Sequence, residues 1–211
     1  MFPEQLTQEK LDPRVKRTRL LLEQSFMEII QEKGFQAVTV QDITERAGVN
    51  RATFYAHFAD KYALLDHSIR QGFMQEIDKR MLNACHLTLD NLRNLIVAVC
   101  EYIHAINSHC KPAQAQFESL VETQVKAVMN ELLLKWLEPR FAGKPPAPPG
   151  GVSAALRQAP SAETAATAAS WAIYGLALQW SHSKKRRPVE EYAAEVLPLV
   201  AANLNLSATA A

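Results

Sequence analysis

The feature that most constrains the fold of this chain is a glycine, Gly48, between two short segments with helical spacing. The segments, residues 40–47 and 51–57, each place apolar residues on one face. Glycine adopts the left-handed backbone conformation without a steric penalty, so Gly48 is where the first helix must end. Asn50 then supplies a side-chain acceptor for the free amides of the second helix. The pattern predicts two short helices joined by a tight turn, a helix-turn-helix over about 39–58.

The outward face of the second helix has the chemistry of a DNA-reading surface. Phe54 and Phe58 lie four residues apart, which predicts one face anchored to a core. The side chains left on the outer surface are Arg51, Ala52, Thr53, Tyr55 and His57. Arginine donates to guanine or phosphate, a threonine methyl meets a thymine methyl, and tyrosine and histidine donate to phosphate oxygens. The turn by itself also fits an ordinary helical corner, but the row of donors favours DNA.

Positive charge, which phosphate contacts require, is local rather than global in this chain. The formal net charge is only +1, so overall charge does not identify a nucleic-acid partner. A basic cluster before the first helical face consists of Arg14, Lys16, Arg17 and Arg19. Asp60 is placed to cap the following helix and puts Lys61 in its first turn, where charge and free amides favour an anion. A solvated helix start is the simpler interpretation of the basic cluster taken alone.

Hydrophobic spacing is helical along almost the whole chain, which predicts an all-α protein. Beyond the two short helices, the spacing predicts helices over residues 14–33, 61–83, 89–108, 112–140, 161–182 and 188–204. The stretch 143–151 is rich in proline and glycine and predicts a surface loop. Short helices precede long ones. We therefore expect an N-terminal arm and three-helix head over residues 1–60, joined to a helical body over residues 61–211.

Cysteine usage, the N-terminus and the length of the apolar runs all favour a cytoplasmic protein without a membrane segment. Three cysteines without close pairs argue against a disulfide framework. The N-terminus has no basic start followed by an apolar core, so we expect no signal peptide. The longest apolar run, residues 171–178, is much shorter than a bilayer span of about 20 residues.

No catalytic pattern accompanies the helical layout, so we expect neither an enzyme nor a bound cofactor. The chain has no glycine-rich phosphate loop, nucleophile elbow or close pair of metal ligands. Cys100 and His104 lie at a helical spacing that can share a metal, but a core cysteine and a half-buried histidine explain them more simply. An all-helical enzyme, and an interaction protein that has lost DNA binding, remain the alternative functions.

The continuous stretch from Arg19 to Leu65 resembles the tetracycline-repressor (TetR) family of transcriptional regulators. The matching motifs are Gly34-Phe35, Thr39 to Ile43, Ala47-Gly48-Val49, Thr53 to Phe58 and Asp60 to Leu65. The residues that depart from those common in the family are Thr44, Asn50 and Ala52. The remainder of the chain fits the family only by its helical layout and length.

The resemblance implies a homodimer that binds a palindromic double-stranded DNA operator, as a repressor released by an unknown small-molecule effector. The residues that match phosphate-contacting positions are Tyr55, His57 and Lys61, and those that match positions near base edges are Arg51, Ala52 and Thr53. Arg17 and Thr39 complete the set that we expect at the DNA. Each helical body is expected to hold one effector site.

Small and aromatic residues suggest a dimer surface and a ligand pocket in the C-terminal body. Small side chains on the helix predicted over 161–182 let a second helix approach closely, and the last helix offers an apolar face. The expected dimer interface consists of Ala165, Ala168, Ala172, Gly175, Val196 and Val200. A small-molecule pocket is largely apolar with a few polar groups. Its candidate residues are Tyr102, His104, Phe117, Trp136, Trp171 and Tyr174. Packing within a single chain is the alternative role for these residues.

Overall fold

The computed structural model of the chain describes residues 12–81, 86–109, 115–141, 160–204 and 206. All regular secondary structure in these ranges is helical, which confirms the all-α prediction. The α-helices are α1 Pro13–Lys33, α2 Val40–Ala47, α3 Arg51–His57, α4 Lys61–Met81, α5 Leu89–His109, α6 Ala115–Phe141, α7 Ala162–His182 and α8 Val189–Asn203. Each predicted helix agrees with these bounds to within one turn. The loop predicted over 143–151 lies outside the described residues. No helix within the described ranges combines the length and the apolar character that a bilayer crossing requires.

The head forms from three helices that meet in a shared apolar core. α1 ends at Gly34, whose φ of 78° is a left-handed value that favours glycine. A 3₁₀ turn over Phe35–Ala37 follows, and α2 begins shortly after it. Phe26, Ile43 and Phe54, one from each helix, are fully buried in the core. Burial of large apolar side chains from all three helices stabilises the head.

Three ion pairs tie α2 to α1 on the head surface, and the longest joins Arg46 Nη1 to Glu28 Oε2 at 3.7 Å. The Arg46 guanidinium donates from Nη1 and Nη2 to the two carboxylate oxygens of Glu32 at 2.6 and 2.7 Å. The Lys33 ammonium lies 2.7 Å from Asp42 Oδ2. Hydrogen bonds from Arg46 hold the pKa of Glu32 below its ordinary value, and hydrogen bonds from Lys33 and Thr39 hold the pKa of Asp42 well below its own. These pairs restrain α2 and, through the corner, α3.

In the body, α7 is the central helix and packs against α5, α6 and α8. α4 packs against α5 and α6. Ala166, Ala169 and Ala177 on α7 are fully buried, because small side chains let the neighbouring helices approach closely. Trp136 from α6 is 1% exposed and fills a large part of the body core.

The head and the body are joined by side chains rather than by close helix packing. The helix pairs that pack most closely all lie within the head or within the body, to which α4 belongs. The Phe35 ring lies 5.2 Å from the Tyr62 ring of α4 and 6.3 Å from the Phe117 ring of α6, measured between centroids. His67 Nε2 of α4 lies 3.0 Å from Glu23 Oε1 of α1. A small set of side chains therefore determines how the head sits on the body.

Candidate nucleic-acid interface

The corner between α2 and α3 has the geometry that its sequence predicts. Gly48 has a φ of 66° and a ψ of 32°, the left-handed conformation that ends a helix. The Val49 amide turns back and donates to the Thr44 carbonyl at 3.0 Å. Asn50 Oδ1 accepts the Thr53 amide at 2.7 Å and so caps α3. Main-chain and cap hydrogen bonds therefore hold the two helices at a defined angle.

α3 is anchored by two phenylalanines and turns its other face outward. Phe54 and Phe58 are 0% and 6% exposed. Burying one such side chain contributes about 2–3 kcal/mol, and a seven-residue helix needs this packing because it is unstable alone. On the opposite face Tyr55 is 57% exposed, and Arg51 and Ala52 are exposed beside it. α3 therefore presents a ridge of hydrogen-bond donors to solvent.

The two threonines expected at the DNA use their hydroxyl protons within helix caps. Thr39 Oγ1 donates to Asp42 Oδ2 at 2.6 Å, and the Asp42 amide donates back to Thr39 Oγ1 at 3.2 Å. Thr53 Oγ1 donates to Asn50 Oδ1 at 2.9 Å. These hydroxyl groups therefore position the starts of α2 and α3. Any further partner has to donate a hydrogen bond to the hydroxyl oxygen.

A glutamine that the sequence analysis did not single out holds Arg51 toward α2. Arg51 Nη2 donates to Gln41 Oε1 at 2.8 Å, and Gln41 Nε2 donates to Glu45 Oε1 at 2.8 Å. The four-residue spacing of Gln41 and Glu45 is visible in the sequence, but the link to Arg51 requires the folded corner. A guanidinium has five N–H donors, so Arg51 retains donors for another partner.

Lys61, for which the resemblance implies a phosphate contact, donates to main-chain carbonyls of the head. Its ammonium donates to the carbonyls of Phe35, Gln36 and Val38 at 3.3, 3.2 and 2.9 Å. Partial burial lowers the pKa of this ammonium below its ordinary value. The Phe35 carbonyl also accepts the Val38 amide at 3.2 Å, so Lys61 adds a charged donor to a turn that main-chain hydrogen bonding already closes. In this arrangement Lys61 joins α4 to the head, and its phosphate contact stays a prediction.

His57 and the basic cluster meet at the C-terminal end of α3. His57 is half-buried, and its pKa lies below the ordinary value, first because of burial and second because of the Arg19 charge. The neutral imidazole that this favours offers one N–H donor rather than two. The Arg19 guanidinium lies 5.8 Å from the centre of the Phe58 ring, which places the start of α1 beside the end of α3. Arg17 is exposed in the same part of α1.

Three of the six residues expected in an effector pocket line cavities. Tyr102 and Phe117 line a cavity of about 430 Å³ between α1, α4, α5 and α6, which we call the joint cavity. Phe117 and Tyr174 line a cavity of about 580 Å³ between α5, α6 and α7, which we call the body cavity. Phe117 is therefore a wall that the two cavities share.

The other three expected pocket residues, His104, Trp136 and Trp171, line neither of these two cavities. Trp136 is part of the body core, and the Arg186 guanidinium donates to His104 Nδ1 at 2.6 Å. Trp171 is 61% exposed, and the Lys126 ammonium lies 3.1 Å from the centre of its ring. Aromatic character alone did not distinguish core, surface and pocket positions.

The residues expected at the dimer surface divide between the core and the outer face. Those buried within the single chain are Ala165, Val196 and Val200, whereas Ala168 and Gly175 are exposed and Ala172 is half-buried. Trp171 shares the outer face of α7, because it follows Ala168 by three residues and precedes Gly175 by four. On α8, Leu199 is 64% exposed. Two neighbouring helices thus expose large apolar side chains.

Known proteins match this chain mainly in the head and the start of α4. Residues 27–67 match the family described as "Bacterial regulatory proteins, tetR family". The HTH-type transcriptional regulator YxbF of Bacillus subtilis (strain 168) is 35% identical over 88 residues, which cover 41% of this chain and 21% of that protein. The HTH-type transcriptional repressor KstR2 of Rhodococcus jostii (strain RHA1) is 28% identical over 113 residues, 52% of this chain and 55% of that protein. The chain thus spans no more than about half the length of these relatives.

Solved structures share the fold along most of the chain. A TetR-family regulator from Streptomyces coelicolor A3 has a TM-score of 0.55 at 18% identity, over 92% of this chain and 98% of its own. FadR from Thermus thermophilus, a TetR-family transcriptional repressor solved in complex with lauroyl-CoA, has a TM-score of 0.53 at 20% identity, over 92% of this chain and 96% of its own. At these identities the similarity establishes the fold alone.

The carbonyl contacts of Lys61 generate a prediction about stability. Replacing Lys61 with alanine is expected to lower the free energy of unfolding by about 1–2 kcal/mol, because the carbonyls at the end of the 3₁₀ turn lose a charged donor. Urea unfolding followed by circular dichroism measures the change. The matched control is Lys79→Ala on the same helix, where a 68% exposed side chain pairs with Glu76 and little change is expected.

A different outcome would support the phosphate contact that the resemblance implies for Lys61. If Lys61→Ala unfolds like the unmodified chain but lowers the salt dependence of DNA binding by about one phosphate contact, Lys61 binds phosphate and not the head.

Proposed function

We propose that this chain, a member of the TetR-like family of transcriptional regulators, binds a palindromic DNA operator as a homodimer and is released from it by a small-molecule effector. The proposal rests on the orientation of α3, which has one buried face and one exposed face. Phe54 and Phe58 bury one face of this helix, while Arg51 and Tyr55 stand exposed on the other. The major groove of B-DNA, about 12 Å wide, admits such a helix.

Different side chains of α3 are expected to contact the bases and the phosphates. Arg51 lies at the N-terminal end of the helix, where side chains reach base edges, and a guanidinium binds guanine through two parallel hydrogen bonds. Gln41 restrains Arg51 before DNA arrives, which limits the conformational freedom lost on binding. Tyr55 and His57 are placed to donate to phosphate oxygens and so to orient the helix. Ala52 leaves room for a base edge to approach the backbone.

Two copies of the head are needed because one short helix makes few base contacts. A symmetric dimer reaches two half-sites about 34 Å apart, or a multiple of that distance, and so requires a palindromic operator. The outer faces of α7 and α8 expose Trp171 and Leu199, and small residues at 168 and 175 let a second helix approach closely. In the dimer that we propose, these faces pack against the same faces of a second copy and form a four-helix interface.

The body cavity is the proposed effector site. Its volume of about 580 Å³ is in the range of small-molecule sites, and Phe117, Tyr174 and Leu178 give it apolar walls. Glu118 and Glu122 line it as well. Glu122 is paired with Lys126 at 2.6 Å, so Glu118 is the carboxylate that favours positive over negative charge on the effector. An effector releases DNA if it binds better to a spacing of the two heads that misfits the operator.

Phe117 supplies a physical connection between this cavity and the head. Its ring forms a wall of the body cavity and lies 6.3 Å from the Phe35 ring. The Phe35 carbonyl accepts a hydrogen bond from Lys61 of α4. A ligand that displaces Phe117 therefore acts on the side chains that seat the head on the body.

The division of α3 into base and phosphate contacts is testable on the DNA next to the protein's own gene. Arg51→Ala is expected to weaken operator binding by about 1–3 kcal/mol and to relax the preference at one base pair. Tyr55→Phe is expected to weaken operator and scrambled duplexes alike, since phosphate contacts are independent of sequence. Gel shifts over a range of salt concentrations measure both effects.

Lys185→Ala is the control for charge alone, because it removes an exposed positive charge from the segment before α8. It is expected to leave operator binding unchanged. Equal losses for Arg51→Ala on operator and scrambled DNA would remove Arg51 from base reading. Failure of every duplex to bind at low ionic strength would overturn DNA binding itself.

The proposed dimer seam predicts a change of oligomeric state. Ala168→Glu combined with Leu199→Glu places carboxylates on both outer faces, and the dimer is expected to dissociate into folded monomers because buried unpaired charges are costly. Analytical ultracentrifugation and circular dichroism measure mass and helicity. Leu21→Glu on α1, where the native leucine is 38% exposed, is the matched control and should remain dimeric. A double variant that stays dimeric would place the seam elsewhere.

Effector gating predicts that ligand and operator binding are coupled. Small molecules that raise the melting temperature of the protein are titrated into the protein–operator complex. At least some are expected to weaken operator affinity, typically by about 5- to 150-fold for coupled sites. If every ligand with demonstrated binding leaves operator affinity unchanged, the gating mechanism is wrong, while DNA recognition by α3 stands.

A further inference from the structure

The joint cavity lies at the boundary between head and body, where close helix packing is absent. Its volume is about 430 Å³. One side is formed by α1 of the head, and the other sides by α4, α5 and α6 of the body. The helix pairs that pack most closely lie on one side of this boundary or the other. A molecule in this cavity touches both parts of the protein at once.

Four glutamines give the joint cavity its polar groups, two from each side. Gln24 and Gln31 come from α1, and Gln71 and Gln75 come from α4. Gln71 is half-buried and the other three are exposed. Throughout the described ranges, no residue donates a hydrogen bond to these four side chains or accepts one from them. Each primary amide therefore offers both donors and an acceptor to a ligand.

The joint cavity is nearly free of formal charge. Among the described residues that line it, Glu23 is the one with an ionisable side chain that is charged at neutral pH. Its carboxylate is already engaged, because Glu23 Oε1 lies 3.0 Å from His67 Nε2. The body cavity is lined by Glu118 and Glu122. The two cavities therefore favour ligands of different charge.

The floor of the joint cavity is apolar and firmly packed. Leu65 and Ile69 of α4 are 0% and 4% exposed, and Phe117 of α6 is 5% exposed. Tyr102 shapes one wall, where its hydroxyl donates to the Ile69 carbonyl at 2.8 Å. An apolar body placed on this floor leaves water, which is the main source of affinity in such sites.

We infer that the joint cavity is a second small-molecule site, which binds an uncharged amphipathic ligand. The apolar part of the ligand covers the partly exposed side chains of Leu20, Met27 and Ile106, which lie beside the packed floor, and an amide or similar neutral polar group meets the glutamines. A carboxylate is disfavoured, because burial removes water from the charge and the one charged lining residue, Glu23, has the same sign. An ammonium group is disfavoured because it loses its water and has to compete with His67 for Glu23.

Binding at this site is independent of the proposed function, but its consequence is not. A ligand that bridges α1 and α4 binds best at one angle between head and body, so it favours that angle. If the chain binds an operator, ligand and operator change each other's affinity by the same factor. Binding itself is therefore tested without DNA.

The test uses three probes with one skeleton: para-butylbenzamide, para-butylbenzoate and para-butylbenzylammonium. Saturation-transfer NMR with the full chain measures their dissociation constants. The benzamide is expected to bind, and the two charged probes at least about tenfold more weakly. Gln71→Leu, which keeps the side-chain size but removes the amide, is expected to weaken the benzamide about three- to tenfold.

A filling variant locates the bound probe. Ala105 is exposed at the edge of the joint cavity, so Ala105→Phe is expected to abolish benzamide binding without disturbing the core. Ala127→Phe is the matched control, because Ala127 is exposed on α6 and lines neither cavity. Absence of binding, undiminished binding to Ala105→Phe, or strongest binding by the ammonium probe would each overturn the inference. The ammonium result would instead point to the carboxylates of the body cavity.

Discussion

The burial of Phe54 and Phe58 is the contact on which the rest of the interface depends. A helix as short as α3 is not stable by itself in water, so its shape and direction come from the core beneath it. The left-handed turn at Gly48 and the cap at Asn50 limit the angle at which α3 leaves α2. Once these constraints hold one face, helical geometry turns Arg51 and Tyr55 outward. The same packing that stabilises the head therefore produces the surface that we propose reads DNA.

The joint between head and body is built from a different kind of contact. Close helix packing stabilises each part, whereas Phe35, Lys61 and the pair of Glu23 and His67 connect the two. Buried apolar side chains nevertheless continue from one part into the other as a single core cluster. Phe117 is central to this arrangement, since it forms part of both cavities and contacts the head. The effector gating that we propose requires two arrangements of head and body that differ by little free energy.

Sequence analysis was most successful where the governing interactions are local. The helix bounds, the stop at Gly48 and the cap at Asn50 depend on residues within one turn of each other, and the structure agrees with them. It was less successful where a side chain has two possible neighbours. Lys61 is an exposed cation by sequence position, yet the folded chain brings the carbonyls of Phe35, Gln36 and Val38 within hydrogen-bond distance of its ammonium. The contact of Gln41 with Arg51 was not predictable for the same reason, because only the turn between α2 and α3 brings the two side chains together.

The sequence by itself determined that this chain is all-helical, where its helices begin and end, and which face of α3 is apolar. These properties follow from hydrophobic spacing and from caps, which act over a few residues. Tertiary structure alone decided which helix faces are covered and which remain open. Ala165 and Val200 became core, Trp171 and Leu199 became surface, and Phe117 became a wall between two cavities. Periodicity assigns a residue to a face, but only the neighbouring helices, distant in the chain, determine what that face meets.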